Sequence, residues 1–121
     1  MRIRLRFGFT IMVLTLALLS AAGCGDDRKT SPVFVDRVMV SADRRTLTIT
    51  GGLPDPCTRI DRATAKTDPR SKNVVVTLAA SRPTGGGCAA VITGFSRDIA
   101  LTTPLATDTV IVNGTPFTVA R

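Results

Sequence analysis

Thr46-Leu47-Thr48-Ile49-Thr50 is the stretch that decides the fold. Apolar and β-branched polar residues alternate strictly, so an extended chain puts Leu47 and Ile49 on one face and three threonines on the other. That is the signature of a strand with one face on a core and one in water. On its N-terminal side, Ala42-Asp43-Arg44-Arg45 reads as a turn, and Val33 to Val40 as a preceding strand. In that strand Val38 and Val40 share a face with Asp36, and Val33, Val35 and Met39 share the other.

On the C-terminal side, Gly51-Gly52-Leu53-Pro54-Asp55-Pro56-Cys57 holds two glycines and two prolines. It reads as a break in the strand, a kinked crossing that ends by delivering Cys57 to the core. Thr58 to Lys66 is a further strand. Its apolar positions Ile60 and Ala63 are three apart, which fits a bulge better than strict alternation, with a short amphipathic helix as the competing reading. After the turn-rich Asp68–Asn73, Val74, Val76 and Leu78 mark another inward face. Arg82-Pro83-Thr84-Gly85-Gly86-Gly87 is a loop without the Lys-Ser/Thr and helix of a phosphate site. Phe95, Ile99 and Leu101 recur in a strand-like segment. Thr109 to Val112 leads into Asn113-Gly114, a strong hairpin signal because both turn positions must accept positive φ. The partner strand runs Thr115 to Ala120, and Pro116, which has no N–H to donate, belongs on an edge or at the strand start.

Six or seven short strands at near-regular spacing, with no helix after the N-terminal segment, predict an all-β sandwich. The expected core is Val38, Leu47, Ile49, Cys57, Val74, Val76, Leu78, Cys88, Phe95, Val110, Val112 and Phe117.

The N-terminus has a different character. Arg2, Arg4 and Arg6 precede an uncharged apolar run, Phe7 to Leu19, which ends at Ser20-Ala21-Ala22-Gly23-Cys24. A basic head, a short apolar middle and small residues before a cysteine form an export signal. Thirteen helical residues reach only about 20 Å, short of a hydrocarbon core of roughly 30 Å. The closing residues resemble the lipobox of bacterial lipoproteins, although Ala21 stands where that pattern prefers Leu. On this reading residues 1–23 are a signal peptide removed from the mature chain, and Cys24 is lipidated (palmitate or a similar acyl group). Residues 24–32 are a tether and residues 33–121 the sandwich. The alternatives are a soluble protein cut after Ala22 and an uncleaved anchor. Acylating Cys24 leaves two of the three cysteines, Cys57 and Cys88, and in an oxidising compartment they form a structural disulfide.

Charge is less extreme than the net +7 of the full chain, because the first 23 residues hold three of the 16 basic residues and none of the nine acids. The remainder carries +4, an ordinary mixed-charge surface. His, Glu, Tyr and Trp are absent, so general acid–base work falls to Asp or Lys, and metal binding lacks imidazole. The expectation is no catalytic, metal or cofactor site. A Ser or Thr activated by Lys66 or Lys72 is conceivable in principle, but nothing in the sequence places them together. Nucleic acid is not an expected partner, since only Phe34, Phe95 and Phe117 remain for base stacking.

From Gly52-x-Pro54-Asp55-x-Cys57 through Arg82-Pro83, Cys88, Phe95, Ile99 and Leu101 to Val110-x-Val112-Asn113-Gly114, the chain resembles a domain of bacterial lipoproteins of unassigned function. The resemblance covers roughly Val33 to the C-terminus. Ala100 stands where such domains often have Pro, and Asp108 where an aromatic is common. It implies an immunoglobulin-like β-sandwich and brings no catalytic residues. The expected protein is a non-enzymatic, lipid-anchored module of the cell envelope, facing the periplasm or the exterior, with a binding or structural role. The alternative is a protein-recognition domain, such as a protease inhibitor, presenting Thr84–Gly87 and Gly51–Pro56 to an envelope partner.

Overall fold

The computed structural model describes residues 27–121, in which eight strands form two sheets. The strands are β1 (Arg28–Ser31), β2 (Phe34–Val40), β3 (Thr46–Leu53), β4 (Arg59–Thr67), β5 (Val74–Pro83), β6 (Thr93–Ala100), β7 (Thr109–Val112) and β8 (Thr115–Thr118). The expected signal segment and Cys24 lie outside the described residues.

One sheet is built on β5, whose length follows from an uninterrupted run of β-branched and small residues. Val74, Val76, Leu78 and Ala80 are buried, and the residues between them are exposed. β4 covers one edge of β5 from Thr67↔Val74 to Arg59↔Ser81. The other edge is shared. β7 runs parallel to β5 from Val74↔Val110 to Val76↔Val112, and β1 runs antiparallel from Ser31↔Ala80 to Arg28↔Pro83. β8 continues the sheet beyond β7, and its Pro116 sits on an outer strand as expected. The second sheet has the order β2-β3-β6. After β8 the chain crosses to this sheet: the Ala120 amide donates to the Val38 carbonyl (2.9 Å), and the Val40 amide donates to the Ala120 carbonyl (3.0 Å).

The core lies between the sheets. Leu47, Ile49, Val38, Val76, Val110 and Val112 are its most deeply buried side chains. Each stabilises the fold by about 1.5–3 kcal/mol relative to staying exposed. The all-β expectation holds, with eight strands among the described residues where six or seven were expected.

Five local expectations change. The folded part begins at Arg28 rather than Val33, because the polar tetrapeptide Arg28–Ser31 fills the vacant half of an edge of β5 instead of acting as tether. β3 does not break at Gly51. Gly51 and Gly52 pair with Val35 and Phe34 on one side and with Phe95 and Gly94 on the other. The reason is steric: a Cβ on Gly51 would overlap the Phe34 carbonyl oxygen and come within 2.9 Å of the Phe95 ring, so glycine is what lets the strands approach. In β2 a bulge between Val35 and Arg37 shifts the register, and Val35 packs against the core together with Val38 and Val40. Cys57 is exposed and Cys88 half-buried, so the disulfide lies at the surface rather than in the core. Phe95 and Phe117 are only partly buried, while Leu53, Ala80 and Leu105 join the buried set. The bulge expected in the fourth strand is present, between Ile60 and Arg62.

Candidate functional site

The buried polar residues, Ser31, Asp55 and Thr58, gather at one end of the sandwich, where β5 ends, β1 and β4 begin, and β3 crosses to β4. Asp55 is 2% exposed there, in the turn that follows Pro54. Its Oδ1 accepts from the amides of Cys57 (3.0 Å) and Thr58 (2.8 Å) and from the Thr58 hydroxyl (2.9 Å). Its Oδ2 lies 3.2 Å from an Arg82 guanidinium nitrogen. The Thr58 hydroxyl has a single proton, spent on Asp55, so Ser31 donates to the Thr58 oxygen across 3.2 Å. Ser31 in β1, Thr58 before β4 and Arg82 in β5 are thus tied to one carboxylate. Burial pushes the Asp55 carboxyl up, but the Thr58 hydroxyl and amide, Arg82 and the Cys57 amide outweigh it and hold it below the ordinary value.

This arrangement is a brace. The carboxylate is a fixed acceptor held in its charged form, unsuited to carrying protons at neutral pH. Thr58 is 6% exposed, so a substrate has no approach to its hydroxyl. Asp55, Cys57 and Cys88 bring one oxygen and two sulfurs close enough for a metal, yet the sulfurs are bonded to each other, with Cα atoms 6.1 Å apart. What remains for a cation is one carboxylate already paired with Arg82. The disulfide thus joins the residues expected from the sequence, Cys57 and Cys88.

Around the brace, Arg28 donates to the Ser81 hydroxyl (2.8 Å) and carbonyl (2.9 Å), and Arg59 pairs with Asp61 (2.8 Å). Beside them lies an apolar group. Ile92 is 73% exposed, Val91 59% and Phe34 50%. Sequence reasoning did not single out Val91 or Ile92, whose place beyond the Gly-rich loop shows no periodicity. A groove of about 310 Å³ runs between Val33–Val35 and the β7–β8 hairpin. A larger one, about 520 Å³, opens between β4 and the chain after β6. Lys66 lies along the larger groove with Thr102 and Thr103, but no hydrogen bond joins it to either hydroxyl among the described residues. Lys72 is exposed in the β4–β5 turn, at a φ of 63°.

Asn113 has a role beyond the expected turn. Its φ is 48° and that of Gly114 is 83°, as an Asn-Gly hairpin requires. Its side-chain oxygen also accepts from the Leu78 amide (2.8 Å), and its side-chain nitrogen donates to the Leu78 carbonyl (3.0 Å). Leu78 lies in the gap between the parts of β5 covered by β7 and by β1, and the Asn113 amide stands in for the missing strand.

Two sheets closing one apolar core define a β-sandwich domain. A family model for the ORF11 beta-sandwich domain matches residues 47–120, from β3 to the segment that docks on β2, and the chain belongs to that family. No curated protein and no solved structure matches the chain. Among the described residues no helix is long and apolar enough to cross a membrane.

Proposed function

We propose that the protein is a lipid-anchored, non-enzymatic module of the bacterial cell envelope, held by an acyl group on Cys24, with a binding or structural role on the periplasmic or outer side. The observation that carries this reading is the N-terminal sequence, three arginines and an uncharged apolar run closing on Ser20-Ala21-Ala22-Gly23-Cys24. The Cys57–Cys88 bond supports it, since such bonds persist in oxidising compartments. So does the state of the most buried carboxylate, which serves the fold rather than a reaction. Metabolic labelling with a palmitate analogue tests the anchor: the wild type takes up label and Cys24→Ala does not. Equal labelling of the two ends the proposal.

The protein-recognition reading rests on the exposed loop Thr84–Gly87. Its other presenting segment is weakened, because Gly51–Leu53 is paired on both sides and Asp55 is buried. Recovery of an exported protease from envelope extracts by the wild type, lost on deletion of Gly85 and Gly86, would favour it.

A further inference from the structure

We infer that the end of the sandwich from which the chain runs back to Cys24 rests on the lipid surface, with Ile92, Val91 and Phe34 entering the headgroup layer. This rests on the lipid-anchored reading above and gives that module an orientation.

Three observations meet at this end. The first is where the fold begins. Arg28 pairs with Pro83, and the Asp27 carbonyl accepts from the Thr84 amide (2.9 Å) and hydroxyl (3.1 Å), so Asp27 is fixed at the C-terminal end of β5. The second is reach. Only three residue steps separate Cys24 from Asp27, and fully extended they span about 11 Å. An acyl group on Cys24 therefore keeps this end of the sandwich beside the bilayer whatever path the short segment takes.

The third is the exposed apolar surface. Four large hydrophobic residues are exposed among the described residues, and three of them, Phe34, Val91 and Ile92, lie at this end. They follow from strand register. Phe34 pairs with Gly52, and Ile92 directly precedes Thr93, the partner of Leu53. The Ile92 Cγ2 lies 2.9 Å from where a Cβ on Gly52 would stand. Register partners project from the same face of a sheet, so Phe34 and Ile92 flank Gly52 on one face. Apolar side chains left in water at the one end that the anchor holds against lipid are placed to leave water there. The opposite end, with the Ala42–Arg45 and Asp68–Asn73 turns, carries only the fourth of them, Val75, which at 36% is the least exposed and stands alone two residues past Asn73.

The chain contains no Trp or Tyr, so one introduced indole reports alone. The full chain carrying Ile92→Trp is produced in cells, purified and reconstituted into phosphatidylethanolamine–phosphatidylglycerol vesicles. Ile92 is mostly exposed, so the larger ring is accommodated, and Val91→Trp is the second probe. Emission from both shifts to the blue on vesicle binding and is quenched by brominated acyl chains. Emission from Ala42→Trp, at the far end, is neither shifted nor quenched. The same samples are floated on a density gradient, and the N-terminal peptide is weighed. Protein that floats with an acylated Cys24, yet leaves the Ile92→Trp and Val91→Trp indoles unquenched, overturns the orientation while the anchor stands. A chain that neither floats nor carries acyl mass overturns both. Equal quenching at Ala42→Trp, or a blue shift that follows protein concentration without vesicles, also overturns the orientation, in favour of adsorption or self-association.

Discussion

Replacing Asn113 separates two contributions that one residue makes to the fold. Its side chain completes the edge of β5 by hydrogen bonds of 2.8 and 3.0 Å to Leu78, and its backbone occupies the left-handed region at φ 48°. Leu78 is 4% exposed, so removing the amide leaves one donor and one acceptor short of partners. Asn113→Gly keeps the backbone conformation and loses both bonds, a cost of about 2 kcal/mol at roughly 1 kcal/mol per bond. Asn113→Ala adds the left-handed penalty of a Cβ, about 1 kcal/mol more. For a domain of this size the glycine variant's Tm falls on the order of 10 °C and the alanine variant's further. Asn113→Asp keeps the acceptor for the Leu78 amide but turns a carboxylate oxygen toward the Leu78 carbonyl. That raises the carboxyl's folded pKa above its unfolded one, so the aspartate variant recovers relative to wild type as pH falls and the carboxyl is protonated. Urea unfolding followed by far-ultraviolet circular dichroism measures all three. A glycine variant as stable as wild type would show that water serves Leu78 as well as the amide does, and would refute the reasoning.

Three further outcomes follow from the structure. Replacing both Cys57 and Cys88 by Ser opens a loop whose ends are 31 positions apart and costs about 3.7 kcal/mol by chain entropy, with little added cavity cost because the bond lies at the surface; a loss of unfolding free energy, measured in urea, below a third of that value contradicts it. Gly51→Ala meets backbone and ring and costs roughly 3 kcal/mol, whereas Gly52→Ala meets only the mobile end of Ile92 and costs less than about 1 kcal/mol; thermal melts in the reverse order disprove the account of the β3 approach. Asp43, Asp61 and Asp68 are held below the ordinary carboxylate value of 3.8, chiefly by the Ser41 hydroxyl, the Ser81 hydroxyl and the Arg70 amide in turn, and Asp55 is lowered as well. Lowered folded pKa values contribute stability that is fully present above the unfolded value and lost as pH falls through the folded one. The chain has no His, so the urea midpoint stays level from about pH 8 to pH 5 and drops below about pH 4; a drop between pH 7 and pH 5 would contradict the assignment.

Much of the candidate site was legible only in part. Asp55-Pro56-Cys57 was visible as part of a kinked crossing, and the pairing of Cys57 with Cys88 followed from the cysteine count once Cys24 was set aside. The placement of Asp55 was not visible, because its burial depends on Arg82 and Ser31, which come from strands 27 and 24 residues away in either direction. The exposed group Phe34, Val91 and Ile92 was hidden for the opposite reason. Those residues look like core by type, and only the register of β2 against β3, together with the path into β6, leaves them outside.

Residue order alone determined the all-β class, the inward faces Leu47–Ile49 and Val74–Val76–Leu78, the bulge in β4 and the Asn113-Gly114 hairpin. Pleat alternation and turn dihedrals depend on neighbours a few positions apart, so they are written locally. Only the tertiary structure decided that Arg28–Ser31 is a strand, that β3 continues through two glycines, that β7 runs parallel to β5, and that the Asn113 side chain completes the edge between β7 and β1. Each of these is settled by which backbone groups a distant strand leaves unpaired. A polar tetrapeptide with no pattern of its own becomes β structure because the open edge of β5 needs its amides and carbonyls.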